Sequence, residues 1–190
     1  MPLVADHCTM TIASGVAMHD LGASLARVLE QMMCEQRISD SGITVQLRGP
    51  LGAGKTTLCQ GVLAALGYTG RVKSPTYTLV ESYDMADITA SISLKTVHHF
   101  DFYRIVDPEE LELIGIGDYF TADTLCLIEW PERADRHLPV PDVRMQIHIH
   151  QDQPEHRQLD LAAGTALGQA WLSLISTDFP GTDFAANIQN

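Results

Sequence analysis

The chain has 190 residues, 45% hydrophobic and 19% charged, which is enough apolar material to bury a core and argues against disorder of the whole chain. At roughly 100–200 residues per domain it holds one globular domain, with no room for two full catalytic ones. Twenty-four acids against twelve Lys and Arg leave a net charge of −12; that field repels phosphate backbones unless basic groups cluster, and here they are scattered singly or in loose pairs.

In chain order, residues 20–36 place Leu21, Leu25, Val28, Leu29, Met32 and Met33 at helical spacing, an amphipathic helix whose apolar stripe reads as core. Ser39, Asp40, Ser41 and Gly42 break that pattern, and the β-branched run 43–48 reads as a strand. A glycine-rich turn follows at once. A helix is then expected over 55–66, with Leu58, Val62, Leu63 and Leu66 on one stripe and Gly67 at its C-terminal end. Residues 76–83 and 92–102 have strand composition and are joined by a polar, acidic connection around 84–91. Asp107 as cap, Pro108 at the first position and acids in the first turn predict a helix over 107–113. The wholly apolar run 125–128 is the pattern of a strand buried on both faces. Residues 145–150 and 158–162 alternate as strands, and 166–175 reads as the last helix. One domain is expected over 1–175, with a frayed tail from Ser176 to Asn190.

Nothing in this pattern points to a membrane. Met1 to Met18 lacks a positive charge ahead of its apolar residues, and no apolar run approaches the ~20 residues of a spanning helix. Cys8, Cys34, Cys59 and Cys126 form no C-x-x-C pair, which fits reduced thiols. A cytoplasmic protein is expected. The acids between Arg104 and Arg133 read first as a solvated face and second as a docking surface for a basic partner.

Gly49-Pro50-Leu51-Gly52-Ala53-Gly54-Lys55-Thr56 matches G-x-x-x-x-G-K-[ST] at every required position, after a strand and opening a helix. Glycines let successive N–H groups point at phosphate oxygens, the helix N-terminus adds its positive end, and Lys55 reaches the outer phosphates. Thr56 offers a hydroxyl to magnesium. The fold class that follows is α/β: a P-loop NTPase-like three-layer fold with a mixed, mostly parallel central sheet and helices on both faces.

A P-loop enzyme also needs an acid at the end of a neighbouring buried strand and a group that orients the attacking water. Glu129 follows the apolar run 125–128 and is assigned to magnesium; Asp101, ending Val97-His98-His99-Phe100, takes a catalytic or second magnesium-linked role. The reverse assignment stays open. Ser74-Pro75-Thr76 is either a phosphate-sensing loop or an ordinary proline turn. Trp130 reads first as core. His148 and His150 share a strand face but lack a third ligand with convincing spacing, and His98 and His99 are discounted as ligands in the same way. Cys59 reads as a small core residue.

Six blocks together resemble a known family: GPLGAGKTT at 49–57, VKSPTYTLVE at 72–81, HFDFYR at 99–104, DPEELE at 107–112, GIGDYF at 115–120 and LIEWP at 127–131. Their order and near-spacing are similar to those of the bacterial tRNA threonylcarbamoyladenosine biosynthesis ATPases, the TsaE family, from about residue 20 to 157. The resemblance implies a small magnesium-dependent ATPase that helps a separate complex modify adenosine 37 of tRNAs reading ANN codons, without transferring the group itself. It implies that Gly49, Leu51, Gly52, Ala53, Gly54, Lys55, Thr56 and Thr57 bind ATP, that Thr56 and Glu129 are associated with Mg2+, and that Asp101 matters for hydrolysis. Lys55 joins Asp101 and Glu129 in the catalytic set. TsaB and TsaD are the implied partners, so tRNA is met only indirectly; this suits an acidic chain without a basic stripe. The connection from 84 to 96 is longer and more polar than the family pattern, residues beyond 158 match loosely, and Arg157 is a candidate adenine-side contact. Three rivals are a small-molecule P-loop kinase, for which no Arg-rich lid is present, a nucleotide-gated binding module that needs no hydrolysis, and a nucleic-acid-binding ATPase, which the −12 charge argues against. Arg104, beside Asp101, is the candidate arginine finger.

Overall fold

The computed structural model describes residues 7–34, 42–86 and 94–178. Most of the polar connection around 84–91 and the tail beyond Asp178 lie outside the described residues. Seven strands form one mixed sheet: β1 (His7–Ile12), β2 (Ile43–Arg48), β3 (Val80–Asp84), β4 (Thr96–Asp101), β5 (Thr124–Glu129), β6 (Val143–Ile149) and β7 (Arg157–Ala163), in the spatial order β1-β7-β6-β2-β5-β4-β3. The four central strands β6, β2, β5 and β4 run parallel. The outer ladders β1/β7, β6/β7 and β3/β4 are antiparallel, so the parallel part of the sheet is its middle.

Pleat alternation divides the buried side chains between two layers. Ile43, Val45 and Leu47 of β2, Val97 of β4, and Leu125 and Leu127 of β5 join the large core under α1 (Gly15–Cys34), α2 (Lys55–Ala65) and α4 (Ala166–Asp178). Phe100 of β4, with Cys126 and Ile128 of β5, faces the other way, into a smaller core closed by Leu111 of α3 (Glu110–Leu113) and Ile116 of a 3-10 turn. Helical structure therefore covers both faces, thick on one and thin on the other.

Local chemistry explains the element ends. Ser14 caps α1, its Oγ accepting from Ala17 N at 3.1 Å; the helix thus starts at Gly15, five residues before the expected Asp20. At the end of α2, Gly67 takes φ 92, and the bonds Tyr68 N to Leu63 O and Gly67 N to Ala64 O close the turn. The helix expected at 107–113 contracts to α3, with Asp107–Glu109 forming the turn that leads into it. The strand expected from residue 76 begins only at Val80, because residues 74–79 form the loop described below. α4 continues past Ile175 to Asp178. β1 is an edge strand that the sequence reading missed. All four cysteines are free thiols; Cys8, Cys59 and Cys126 are buried and Cys34 is exposed. Among the described residues no helix is long and apolar enough to cross a membrane.

Candidate functional site

The carboxyl ends of β2, β5 and β4 are level: Leu47 pairs with Glu129, and Glu129 with Asp101. The glycine-rich turn leaves β2 at that edge and opens α2, so one loop and both carboxylates meet where α/β sheets place their ligands. They line one cavity of about 340 Å³, with Leu51, Gly52, Ala53, Gly54, Lys55, Thr56, Thr57, Ser74, Thr76, Tyr103 and Trp130. Every expected loop residue but Gly49 lines it directly. Gly49 contributes its carbonyl, which accepts from Lys55 Nζ at 2.8 Å.

The loop geometry needs its glycines. Gly52 and Gly54 sit at φ 76 and 104, where an L side chain is strained. Lys55 is folded back on its own loop, donating also to Pro50 O at 3.0 Å, with its ammonium 4.1 Å from the Trp130 ring centroid. Burial pushes the Lys55 ammonium below its ordinary pKa, opposed by Glu129 and Asp101 nearby. From two strands beyond β2, Arg157, the first residue of β7, donates through Nε to Ala53 O at 3.0 Å and through Nη2 to Gly52 O at 3.1 Å. It braces the loop from behind.

Glu129 is 3% exposed. Its Oε1 accepts from Thr56 Oγ1 at 2.8 Å and lies 2.9 Å from His99 Nε2. Asp101, also 3% exposed, accepts from Thr76 Oγ1 at 2.8 Å and from Ser74 Oγ on Oδ2, and from Tyr103 N at 3.0 Å on Oδ1. Ser74 and Thr76 hydroxyls are themselves 2.8 Å apart, so two hydroxyl protons serve three oxygen contacts. Leu79, at φ 66, closes this loop, its N donating to Pro75 O and its carbonyl accepting from Asp101 N. Ser74-Pro75-Thr76 is thus tied to the carboxylate at the end of β4, and is more than a proline turn.

The donor set fits a nucleotide with magnesium. A hydroxyl held on a buried carboxylate at the root of a phosphate-binding loop is the hard-oxygen environment Mg2+ takes, with phosphates and water completing it. Thr56 and Glu129 would hold that ion. Cys59, His99 and Glu129 also present ligand atoms within 4.8 Å of one another, the one such group among the described residues; His148 instead meets Asp160 Oδ2 at 3.1 Å.

Three residues were undervalued by the sequence reading. His99 was discounted as a ligand, yet it bonds Glu129; Trp130 is half-buried in the cavity wall at φ 57, its ring 5.0 Å from that of Tyr103. Tyr103 was not singled out at all. Arg104 does not line the cavity; its guanidinium lies over the Tyr77 ring, 4.0 Å from the centroid.

Comparison with known proteins finds relatives of one family. The family described as "Threonylcarbamoyl adenosine biosynthesis protein TsaE" matches residues 12–159. The chain is 43% identical over 168 residues to the tRNA threonylcarbamoyladenosine biosynthesis protein TsaE of Haemophilus influenzae, covering 88% of this chain and 97% of that protein. To the Bacillus subtilis protein of the same name it is 34% identical over 122 residues, covering 64% of this chain and 70% of the relative. The crystal structure of Bacillus subtilis YdiB superposes with a TM-score of 0.64 at 20% identity, covering 92% of this chain and 97% of that one, a likeness of fold.

Proposed function

Since the chain belongs to the TsaE family of tRNA threonylcarbamoyladenosine biosynthesis, we propose that it is a magnesium-dependent ATPase required for threonylcarbamoylation of adenosine 37 in tRNAs reading ANN codons. In this reading it works in the cytoplasm with TsaB and TsaD, does not itself transfer the group, and meets tRNA only through those partners. The observation that supports it best is the meeting of Thr56, Glu129 and Asp101 at one sheet edge behind a complete phosphate-binding loop.

The loop amides and Lys55 bind and orient the phosphates; Lys55 must first leave the Gly49 and Pro50 carbonyls it now contacts. Thr56 keeps its proton on Glu129 Oε1, so its lone pairs stay available on the cavity side. Bound magnesium would neutralise phosphate charge as the terminal phosphoryl group departs. Asp101 orients or activates water once Ser74 and Thr76 release it, which makes loop 74–79 the element that reports nucleotide state. Because Arg104 lies outside the cavity, turnover by the lone chain is slow and a partner completes the site.

The full hold on Asp101 favours one second reading, a nucleotide-gated binding module that does not need hydrolysis. A reconstituted tRNA modification reaction separates the two. Omitting this chain should abolish sustained threonylcarbamoylation, and Asp101→Asn should fail to restore it while still binding ATP. Full restoration by Asp101→Asn would leave the gated module standing.

A further inference from the structure

We propose that His99 is a positioning residue for magnesium: it holds the Glu129 carboxylate in the orientation that lets Thr56 and Glu129 act together. The inference rests on the reading of Glu129 as the magnesium-side acid. On β4 and β5, His99 pairs with Leu127 and Asp101 with Glu129, so His99 and Glu129 are diagonal neighbours on the sheet face that packs against α2. The ring is fully buried, and Nε2 stands 2.9 Å from Glu129 Oε1. A carboxylate oxygen only accepts, so the proton of this bond sits on Nε2. Nδ1 is buried with no partner at all.

An imidazole with one nitrogen bonded and the other unpartnered is a costly thing to bury for packing alone, since an apolar side chain would fill the same space without stranding a polar atom. What the imidazole adds over an apolar side chain is the bond to Glu129. Thr56 and His99 place two donors on the same oxygen, from a helix on one side and a strand on the other. With Oε1 fixed twice, the carboxylate plane has one orientation; with Thr56 alone it swings about that bond. Partners of this outer kind typically contribute ten- to a hundredfold to metal affinity.

ATP affinity of the full chain, measured with magnesium and with chelator, tests this in wild type, His99→Met, His99→Gln and Glu129→Gln. Magnesium-free affinity should stay within about twofold in His99→Met and His99→Gln. The enhancement by magnesium should drop roughly ten- to a hundredfold in Glu129→Gln and His99→Met, and recover in His99→Gln, whose amide keeps a donor near the Nε2 position. If Glu129→Gln loses the enhancement but His99→Met keeps it, the inference fails and the reading of Glu129 survives. If Glu129→Gln keeps it, both fail. A second measurement does not depend on the variants folding: histidine 15N spectra of the wild type should show a proton on His99 Nε2, engaged in a hydrogen bond. A bare Nε2 would overturn the proposal.

Discussion

Replacing Asp101 with Ala removes the acceptor of three hydrogen bonds at once, two from the Ser74 and Thr76 hydroxyls and one from Tyr103 N. Bonds to a charged acceptor contribute about 1.5–3 kcal/mol each, but these donors lie at a cavity wall and regain water when freed, so roughly 2–4 kcal/mol in total is expected. For a chain of this size that lowers Tm by roughly 5–15 °C. Asp101→Asn keeps an oxygen for Tyr103 N and should lose less than half as much. The same change should release loop 74–79 locally. Trypsin offers the readout, because Lys73 immediately precedes Ser74: cleavage after Lys73 should quicken several-fold in Asp101→Ala, before global unfolding. An Asp101→Ala protein with wild-type Tm and an unaltered rate of cleavage at Lys73 would refute the idea that this carboxylate holds the loop.

Arg157→Ala should weaken ATP binding about tenfold, since two loop carbonyls lose donors contributing about 0.5–1.5 kcal/mol each; titration with a fluorescent nucleotide checks this, and unchanged affinity counts against a bracing role. A Cβ on Gly61 would lie 2.0 Å from the His19 carbonyl. Gly61→Ala should therefore force α1 and α2 apart and lower stability in urea by at least roughly 1–3 kcal/mol, whereas a neutral effect would mean the helices do not cross that closely. Burial raises the Cys8 thiol to about 11 and Cys126 to about 12, and holds Cys59 well above its ordinary value. At pH 8 the native protein should then expose one titratable thiol, Cys34, and all four after denaturation; rapid reaction of two or more in the native state would contradict the packing.

The phosphate-binding loop was legible because its function dictates residue types at fixed spacing next to a strand, and the strand carrying Glu129 because a parallel strand buried on both faces is apolar throughout. The strand β1 carried a weaker signal, Cys8, Met10 and Ile12 alternating with His7, Thr9 and Thr11; beside Gly15 and Val16 it reads as irregular until β7 supplies its partner. The start of α1 was readable from Ser14, but apolar periodicity becomes regular only further on. His99 could not be assigned without register, because its meaning comes from lying diagonal to Glu129 in a neighbouring strand thirty residues away. Had His99, Asp101 and Glu129 been placed on one sheet face, strand alternation alone would have set the imidazole among the site residues. Loop 74–79 was ambiguous for a similar reason: serine, proline and threonine make many turns, and only Asp101 across the cavity distinguishes this one.

Phosphate release from ATP by the purified chain, alone and with a purified TsaB–TsaD complex, tests the proposed activity most directly when wild type is set beside Lys55→Ala and Glu129→Gln. Slow turnover alone, strong stimulation by the complex, and loss of that stimulation in both variants are expected. Tight ATP binding with no phosphate release under either condition would contradict the ATPase and leave the chain a nucleotide-gated module.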